Sequence, residues 1–341
     1  MAVSGQRRPL VFALRALGLG DFLVGVPAYR ALRGAYPDHE IRLATTAGVA
    51  PLAPFTDAID SVSPARAPDD FAAPRGAVDV AVNLHGRGPR STMALRALRP
   101  KRLLSFDDDA PPRWDDEWPV HERARWCELL AAYGVATDPD DYRLRPPNIR
   151  PPARDAVVVH PGAAFGSRRW PAKRFAEVAR SLNRAGHDVV VTGARGELEL
   201  AVGVAEMAGL SPAAVFAGKT DIVGLASLIA HAELVISGDT GPAHLATAYN
   251  IPSVVLFGPT PPAQWGPPND PRHIALWPRI LRCGVGDPHG DQPDPTLLAI
   301  IAPDVVDASS HLLAATTDAQ QSDPTSGATC DKRSMTVRTP A

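Results

Sequence analysis

The sequence predicts an α/β protein built as two doubly wound parallel sheets, and three observations carry that reading. Apolar runs at Leu10–Leu14, Asp79–Leu84, Ala156–His160, Asp188–Thr192, Leu234–Ile236 and Ser253–Phe257 read as strands covered on both faces, because a strand with one wet face would alternate. Segments with helical spacing of apolar residues separate these runs, so strand and helix alternate through both halves. Between the halves lies Arg143–Arg154, RLRPPNIRPPAR, whose two Pro-Pro pairs make a semi-rigid extended connector.

Those boundaries divide the 341 residues into a first domain over 1–142, a linker over 143–155 and a second domain over 156–301, followed by a helix over 302–315. The polar tail Thr316–Ala341 is expected to be disordered. A hydrophobic content of 45% suffices for two cores, and a net charge of −2 argues against a nucleic-acid partner. Cys127, Cys283 and Cys330 lie far apart without a CxxC, which points to neither a disulfide framework nor a zinc cluster and suits a reducing cytoplasm. The apolar run Pro9–Leu14 is too short for a signal peptide, and no stretch reaches the length of a membrane span.

In chain order, strand Leu10–Leu14 leads through Gly18-Leu19-Gly20-Asp21 into a helix, Phe22–Ala35, with Phe22, Val26, Tyr29 and Leu32 on one face. This is not a dinucleotide fingerprint, since Leu23 stands where the third glycine belongs and the next strand, Glu40–Thr45, ends without an acidic residue for a ribose. Asp21 therefore has two readings: an N-cap worth about 1 kcal/mol, or a carboxylate at the open end of the sheet that acts as general base. Strand Asp79–Leu84 closes in His85-Gly86-Arg87-Gly88, and a basic helix, Ser91–Arg99, follows. Arg96, Arg99, Lys101 and Arg102 are either an acceptor-side patch or a solvated face. Asp107-Asp108-Asp109 has the spacing for a divalent metal, although a Pro- and Asp-rich loop also explains it as turn chemistry, and no metal is assigned. Helix Glu122–Tyr133 closes the first half.

The second half opens with strand Ala156–His160 and a loop to Pro171, in which Arg168 precedes a helix start, suited to holding a diphosphate or lying on the surface beside Trp170. Helix Lys173–Ala185, strand Asp188–Thr192, helix Glu197–Ala208, a short strand at Ala214–Phe216 and helix Ile222–Ala230 capped by Asp221 follow. Glu197 either receives a ribose or base or compensates the first turn of its helix. Gly218-Lys219-Thr220 resembles the end of a P-loop but lacks the first glycine, with Ala213 in its place. The stretch that organises this half is Val235–Thr260, VISGDTGPAHLATAYNIPSVVLFGPT. It reads as strand, glycine loop, helix and strand, with free first-turn amides and a positive dipole end where an anion would sit. Asp239 and Thr240 cap that turn or reach ligand hydroxyls, Gly241 lets backbone approach closely, and His244 lies one turn further in.

Taken together, GxGD at Gly18–Asp21, HPGA at His160–Ala163, RRWP at Arg168–Pro171, TG with a following Glu at Thr192–Glu197, AGKT at Ala217–Thr220, GDTGPAH at Gly238–His244 and FGPT at Phe257–Thr260 resemble glycosyltransferase family 9, the heptosyltransferases. The resemblance runs from residue 10 to about residue 315. It implies the GT-B architecture: two Rossmann-like domains facing across a cleft, the second binding the nucleotide-sugar. It implies an inverting, metal-independent transfer of a sugar, ADP-heptose being the expected donor, with no cofactor. Asp21 would take the proton of the acceptor hydroxyl. Asp239, Thr240, Gly241 and His244 would surround the donor diphosphate and sugar, with Arg168 where the family usually has lysine and Glu197 near the nucleoside. The acceptor would be a glycan, a lipid-linked sugar or a glycosylated natural product, and the protein cytoplasmic, with association at the inner membrane face left open. A sugar-nucleotide epimerase of the same architecture and a non-catalytic two-lobed binder are the alternatives. Relatives carry several cysteines near the end of the second domain where only Cys283 stands here, which leaves a metal or disulfide role there unsupported. The linker is the expected hinge, with helix Pro303–Ala315 packing back across it.

Overall fold

Strand β1 (Leu10–Leu14), buried at every position, is the centre of the first sheet. The computed structural model describes residues 8–73, 77–106, 114, 120–278 and 286–321; the Asp107-Asp108-Asp109 spacing, Cys283, Cys330, residues 322–341 and the side chains of 316–321 lie outside the described residues. After β1 come α1 (Leu19–Val24), α2 (Val26–Ala35), β2 (Glu40–Thr45), β3 (Ser61–Ala67), β4 (Asp70–Phe71), β5 (Val80–Asn83), α3 (Arg90–Ala97), β6 (Arg102–Leu104) and α4 (Glu122–Ala132). The sheet runs β4-β3-β2-β1-β5-β6, parallel except for the antiparallel β3–β4 pair. In register, Leu10 pairs with Glu40 and Leu14 with Asn83.

The second lobe contains β7 (Val157–His160), α5 (Ala172–Arg184), β8 (Val189–Val191), α6 (Leu198–Ala208), α7 (Ile222–Ala230), β9 (Leu234–Gly238), α8 (Gly241–Tyr249), β10 (Ser253–Leu256), α9 (Pro262–Trp265), β11 (His273–Leu276), α10 (Pro295–Leu298) and α11 (Ala302–Gln321). Its order, β11-β10-β9-β7-β8, is parallel throughout. In each sheet the chain steps outward from its first strand on one side, then returns to build on the other. The reversal points, β1/β5 and β7/β9, open crevices at the strands' carboxyl ends, where α/β sheets bind ligands.

One apolar core joins the lobes: Val11, Phe22 and Leu32 of the first belong to the same buried cluster as Val158, Val235 and Leu245 of the second. The linker is tied to both, since Leu144 N–H donates to Ala248 C=O at 3.2 Å and Arg145 N–H to Phe55 C=O at 3.1 Å.

Four features differ from the sequence expectation. The helix after β1 is two helices, α1 and α2, broken at Gly25, because the Tyr29 hydroxyl lies 2.5 Å from where a Cβ there would sit. Helix α11 runs six residues into the tail expected to be disordered, and it packs on α5 in the second lobe's own core through Val305 and Leu312 instead of crossing back over the linker. The strand expected at Ala214–Phe216 is a single bridge, Val191 to Val215. Strands β3 and β4 have no continuous apolar run, β11 has only the short one Ile274–Leu276, and none of the three was expected.

Candidate active site at the meeting of two helix starts

The two reversal points face each other. Helix α1 starts at the end of β1 and α8 at the end of β9, and their first turns are in contact across the lobe boundary. Leu19 of α1 fills the space of a Cβ on Gly241, with its Cδ2 2.5 Å from that position, and the His244 ring of α8 comes within 3.0 Å of a Cβ on Gly20. These glycines are required by close approach of the lobes, not by backbone angle.

The space between is a cavity of about 680 Å³, lined by Gly18–Asp21 of the first lobe and, from the second, by His160, Arg168, Glu197, Asp239–Pro242 and His244. All seven residues singled out as catalytic or donor-binding therefore share one cavity. The basic patch does not. Lys101 and Arg102 sit at the amino end of β6, away from the strands' carboxyl ends, where Lys101 pairs with Asp79 at 2.6 Å and Arg102 donates to Tyr133 C=O at 2.7 Å. Arg96 and Arg99 are exposed on and just beyond α3, and none of the four lines the cavity. All four are exposed, and charge clustering in sequence carries no direction in space.

Asp21 lies in the first turn of α1, and the N-cap is Gly18, so the aspartate is not a cap. Its Oδ1 is 3.4 Å from Arg15 Nη2, and its side chain is 32% exposed against 1% for Arg15. Oδ2 has no hydrogen-bond partner among the described residues. A carboxylate held on one oxygen and open on the other can receive a proton.

On the opposite wall Thr240 is the N-cap of α8, yet its side chain makes no capping bond and donates instead to Gly238 C=O at 3.3 Å. Pro242 lacks an N–H and Ala243 N–H is committed to Thr240 C=O at 3.0 Å, which narrows the donors open to an anion to the Thr240 and Gly241 amides. Asp239 is buried, with Oδ1 3.7 Å from His244 Nε2. Arg168 ends a 3-10 turn, Gly166–Arg168, with its guanidinium 5.4 Å from the Phe165 ring and its Nε buried without a partner among the described residues. The same turn explains Gly238, whose Cβ would meet Arg168 C=O at 3.2 Å.

Glu197 Oε2 accepts from Ala194 N–H at 2.7 Å at the start of its helix, and the residue also lines the cavity. It lies over Gly162, where a Cβ would come within 2.3 Å of it. His160, at the end of β7, meets Thr192 Oγ1 through Nδ1 at 3.0 Å, and burial pushes its pKa below the usual histidine value, leaving it neutral. Two wall residues were missed from sequence: Trp265, edge-on to His244 with ring centroids 5.9 Å apart, and His289, edge-on to Phe165 at 4.7 Å. Trp265 ends the four-residue helix α9 and His289 stands in a turn, both too short for periodicity to give a signal.

No group of three or more His, Cys, Asp or Glu among the described residues is arranged to hold a metal ion, and no helix among them is long and apolar enough to cross a membrane.

Residues 131–283 match the profile of glycosyltransferase family 9 (heptosyltransferase), a segment that holds Arg168, Glu197 and the Asp239–His244 loop. That segment is of glycosyltransferase family 9. It is 34% identical over 185 residues to lipooligosaccharide heptosyltransferase 2 of Campylobacter jejuni, covering 52% of this chain and 57% of that one. It is 32% identical over 163 residues to lipopolysaccharide heptosyltransferase 3 of Escherichia coli, covering 47% and 48%. The chain thus matches about half the length of these curated relatives. In fold the chain is similar to a glycosyltransferase family 9 structure from Veillonella parvula, with a TM-score of 0.70 at 21% identity over 91% of this chain and 98% of that one. It is also similar to E. coli ADP-heptose lipopolysaccharide heptosyltransferase II, with a TM-score of 0.71 at 19% identity over 90% and 99%. The architecture is GT-B across both lobes.

Proposed function

We propose that this chain is an inverting, metal-independent glycosyltransferase that moves a heptose from ADP onto a hydroxyl of a lipopolysaccharide-type glycan, with Asp21 as general base. The observation that carries the proposal is the single cavity that has the open carboxylate oxygen of Asp21 on one wall and the Arg168 guanidinium with the Thr240 and Gly241 amides on the other. The donor follows the fold relatives, which include an E. coli heptosyltransferase holding ADP and the same enzyme holding ADP-2-deoxy-2-fluoro heptose. The acceptor class follows the curated relatives, whose names place them on lipopolysaccharide and lipooligosaccharide.

The acceptor O–H gives its proton to Asp21 while its oxygen attacks the anomeric carbon, and the bond from that carbon to the diphosphate oxygen breaks on the opposite face. One new C–O bond replaces the old one with inversion. The leaving electron pair stays on the diphosphate, which Arg168 and the amides at the start of α8 stabilise without reorganising. His160, held neutral, adds no charge beside Glu197, which contacts the nucleoside. We place the enzyme in the cytoplasm, working at the inner membrane face where such an acceptor is presented.

The test is ADP release from ADP-heptose, with and without a truncated core acceptor, by wild type and Asp21→Asn. The proposal expects acceptor-dependent release that falls roughly a hundred- to ten-thousand-fold in the variant, while donor affinity stays within about threefold. Equal turnover of the two proteins removes Asp21 from the mechanism, and release without acceptor overturns the transferase.

A further inference from the structure

Arg15 is the first residue beyond β1, and at 1% exposure it is among the largest fully buried side chains of the described residues. Burying a guanidinium is tolerated only where its donors are matched. Here Nε donates to the Asp21 C=O and Nη1 to the Leu84 C=O just after β5, while the guanidinium carbon stands 4.6 Å from the Trp126 ring centroid on α4. Two carbonyls and an aromatic face thus fix the plane of the fork. The nitrogen left over, Nη2, is aimed at Asp21 Oδ1, 3.4 Å away.

A residue serving only to tie the β1–α1 turn to the end of β5 would need the two carbonyl contacts and nothing more. We propose that Arg15 is a positioning residue for Asp21, holding one carboxylate oxygen so that the other faces the acceptor hydroxyl as an anion. This rests on Asp21 being the base, as proposed above. A planar fork anchored at two nitrogens places the third with little freedom, which a lysine on a flexible stem does not. The other titratable groups near the carboxylate are His85 after β5, Tyr29 on α2 and, from the second lobe, His244 beside Asp239. Burial and the Arg15 charge hold His85 below its usual pKa, and burial holds Tyr29 as a phenol, which leaves Arg15 as the cation fixed on Asp21. The side chain's 32% exposed part gives the abstracted proton a way out to water.

The experiment measures kcat, acceptor KM and donor Kd for wild type, Arg15→Gln, Arg15→Lys and Asp21→Asn. The glutamine variant is expected to lose about a hundredfold in kcat, with donor Kd within about threefold. The lysine variant, which keeps the charge on a flexible stem, is expected to recover part of that loss and stay about tenfold below wild type in kcat, and this comparison stands by itself if the glutamine variant does not fold. Wild-type kcat in either variant overturns the proposal. So does a fall in kcat matched by an equal weakening of donor binding, since that marks a structural tie. Full turnover by Asp21→Asn sinks the general-base reading instead, whereas a dead Asp21→Asn beside an unaffected Arg15→Gln sinks only the role of Arg15.

Discussion

Leu19 of the first lobe sits where a side chain on Gly241 of the second would be, its Cδ2 2.5 Å from that Cβ position, and the same helix turn carries Asp21 two residues further on. The docking of the lobes and the placing of the carboxylate are therefore one packing problem. Gly241→Ala is expected to push Leu19 aside and destabilise the protein by about 1–3 kcal/mol, as overpacking does, with a fall in ADP release. Adding Leu19→Ala opens the space again and should recover part of both losses. Thermal unfolding and turnover of the two single variants and the double close a cycle; strictly additive effects would show that the two residues do not meet in solution.

Arg168 lines the cavity beside the open amides of α8, and its buried Nε has no partner among the described residues. Arg168→Ala should weaken binding of ADP by about ten- to a hundredfold, the range of a charge-assisted contact. Arg168→Lys keeps the charge and should recover at least part of that affinity. Calorimetric titration with ADP checks both, and unchanged affinity of the alanine variant places the diphosphate elsewhere.

Gly162 leaves room for the Glu197 carboxylate, which lies 2.3 Å from the position of a Cβ there. Because the obstacle is the far end of a flexible side chain, Gly162→Ala should swing Glu197 away without unfolding the lobe. The lost bond to Ala194 N–H costs about 1 kcal/mol of stability. The expected larger effect is on donor affinity, and the double variant Gly162→Ala with Glu197→Ala should bind ADP no worse than Glu197→Ala alone. Additive losses would mean that Gly162 acts through some other contact.

Much of this was legible in the sequence because the second lobe's inner strands are mostly apolar: Val157–His160 and Ser253–Leu256 are buried at every position. Strand β3, SVSPARA, carries Pro64 and alternates between buried and exposed, but with Val62 exposed and Ser63 buried the alternation does not show in hydropathy; it is a strand because Leu43 and Thr45 of β2 pair with Val62 and Pro64, which is a tertiary fact. The donor wall was readable for a local reason, since a glycine loop at a helix start makes its own anion site. The acceptor side was not. The basic run Arg96–Arg102 was visible as charge, but only the fold turns it to the amino end of β6, and Arg15 gave no signal because nothing in LVFALRAL distinguishes a buried arginine from a surface one. Trp265, at the end of the short helix α9, and His289, in a turn, reach the cavity from segments with no pattern of their own.

His121 and His273 give the protein a predictable response to acid. His121 Nε2–H donates to Gly266 C=O at 2.9 Å across the lobes, and its Nδ1 accepts from Arg123 N–H at 3.1 Å, so both nitrogens are used by the neutral ring. Burial, with Arg123 beside it, pushes its pKa down to about 4, and burial does the same to His273, also to about 4. Unfolded, each histidine takes up its proton near 6.5; folded, it resists until about 4, so between those values the unfolded chain binds more protons. Stability must then fall as pH drops from 6.5 toward 4, by on the order of 3 kcal/mol for each ring if the full shift is realised. The lowered carboxylates Asp60, Asp79 and Asp270 act beneath this window, since their ordinary value is 3.8. Urea unfolding at pH 7, 6 and 5 should show the decline, and His121→Gln, whose amide can still donate to Gly266 and accept from Arg123, should flatten it. Parallel pH curves for wild type and variant would show that His121 takes up its proton without cost to the folded state.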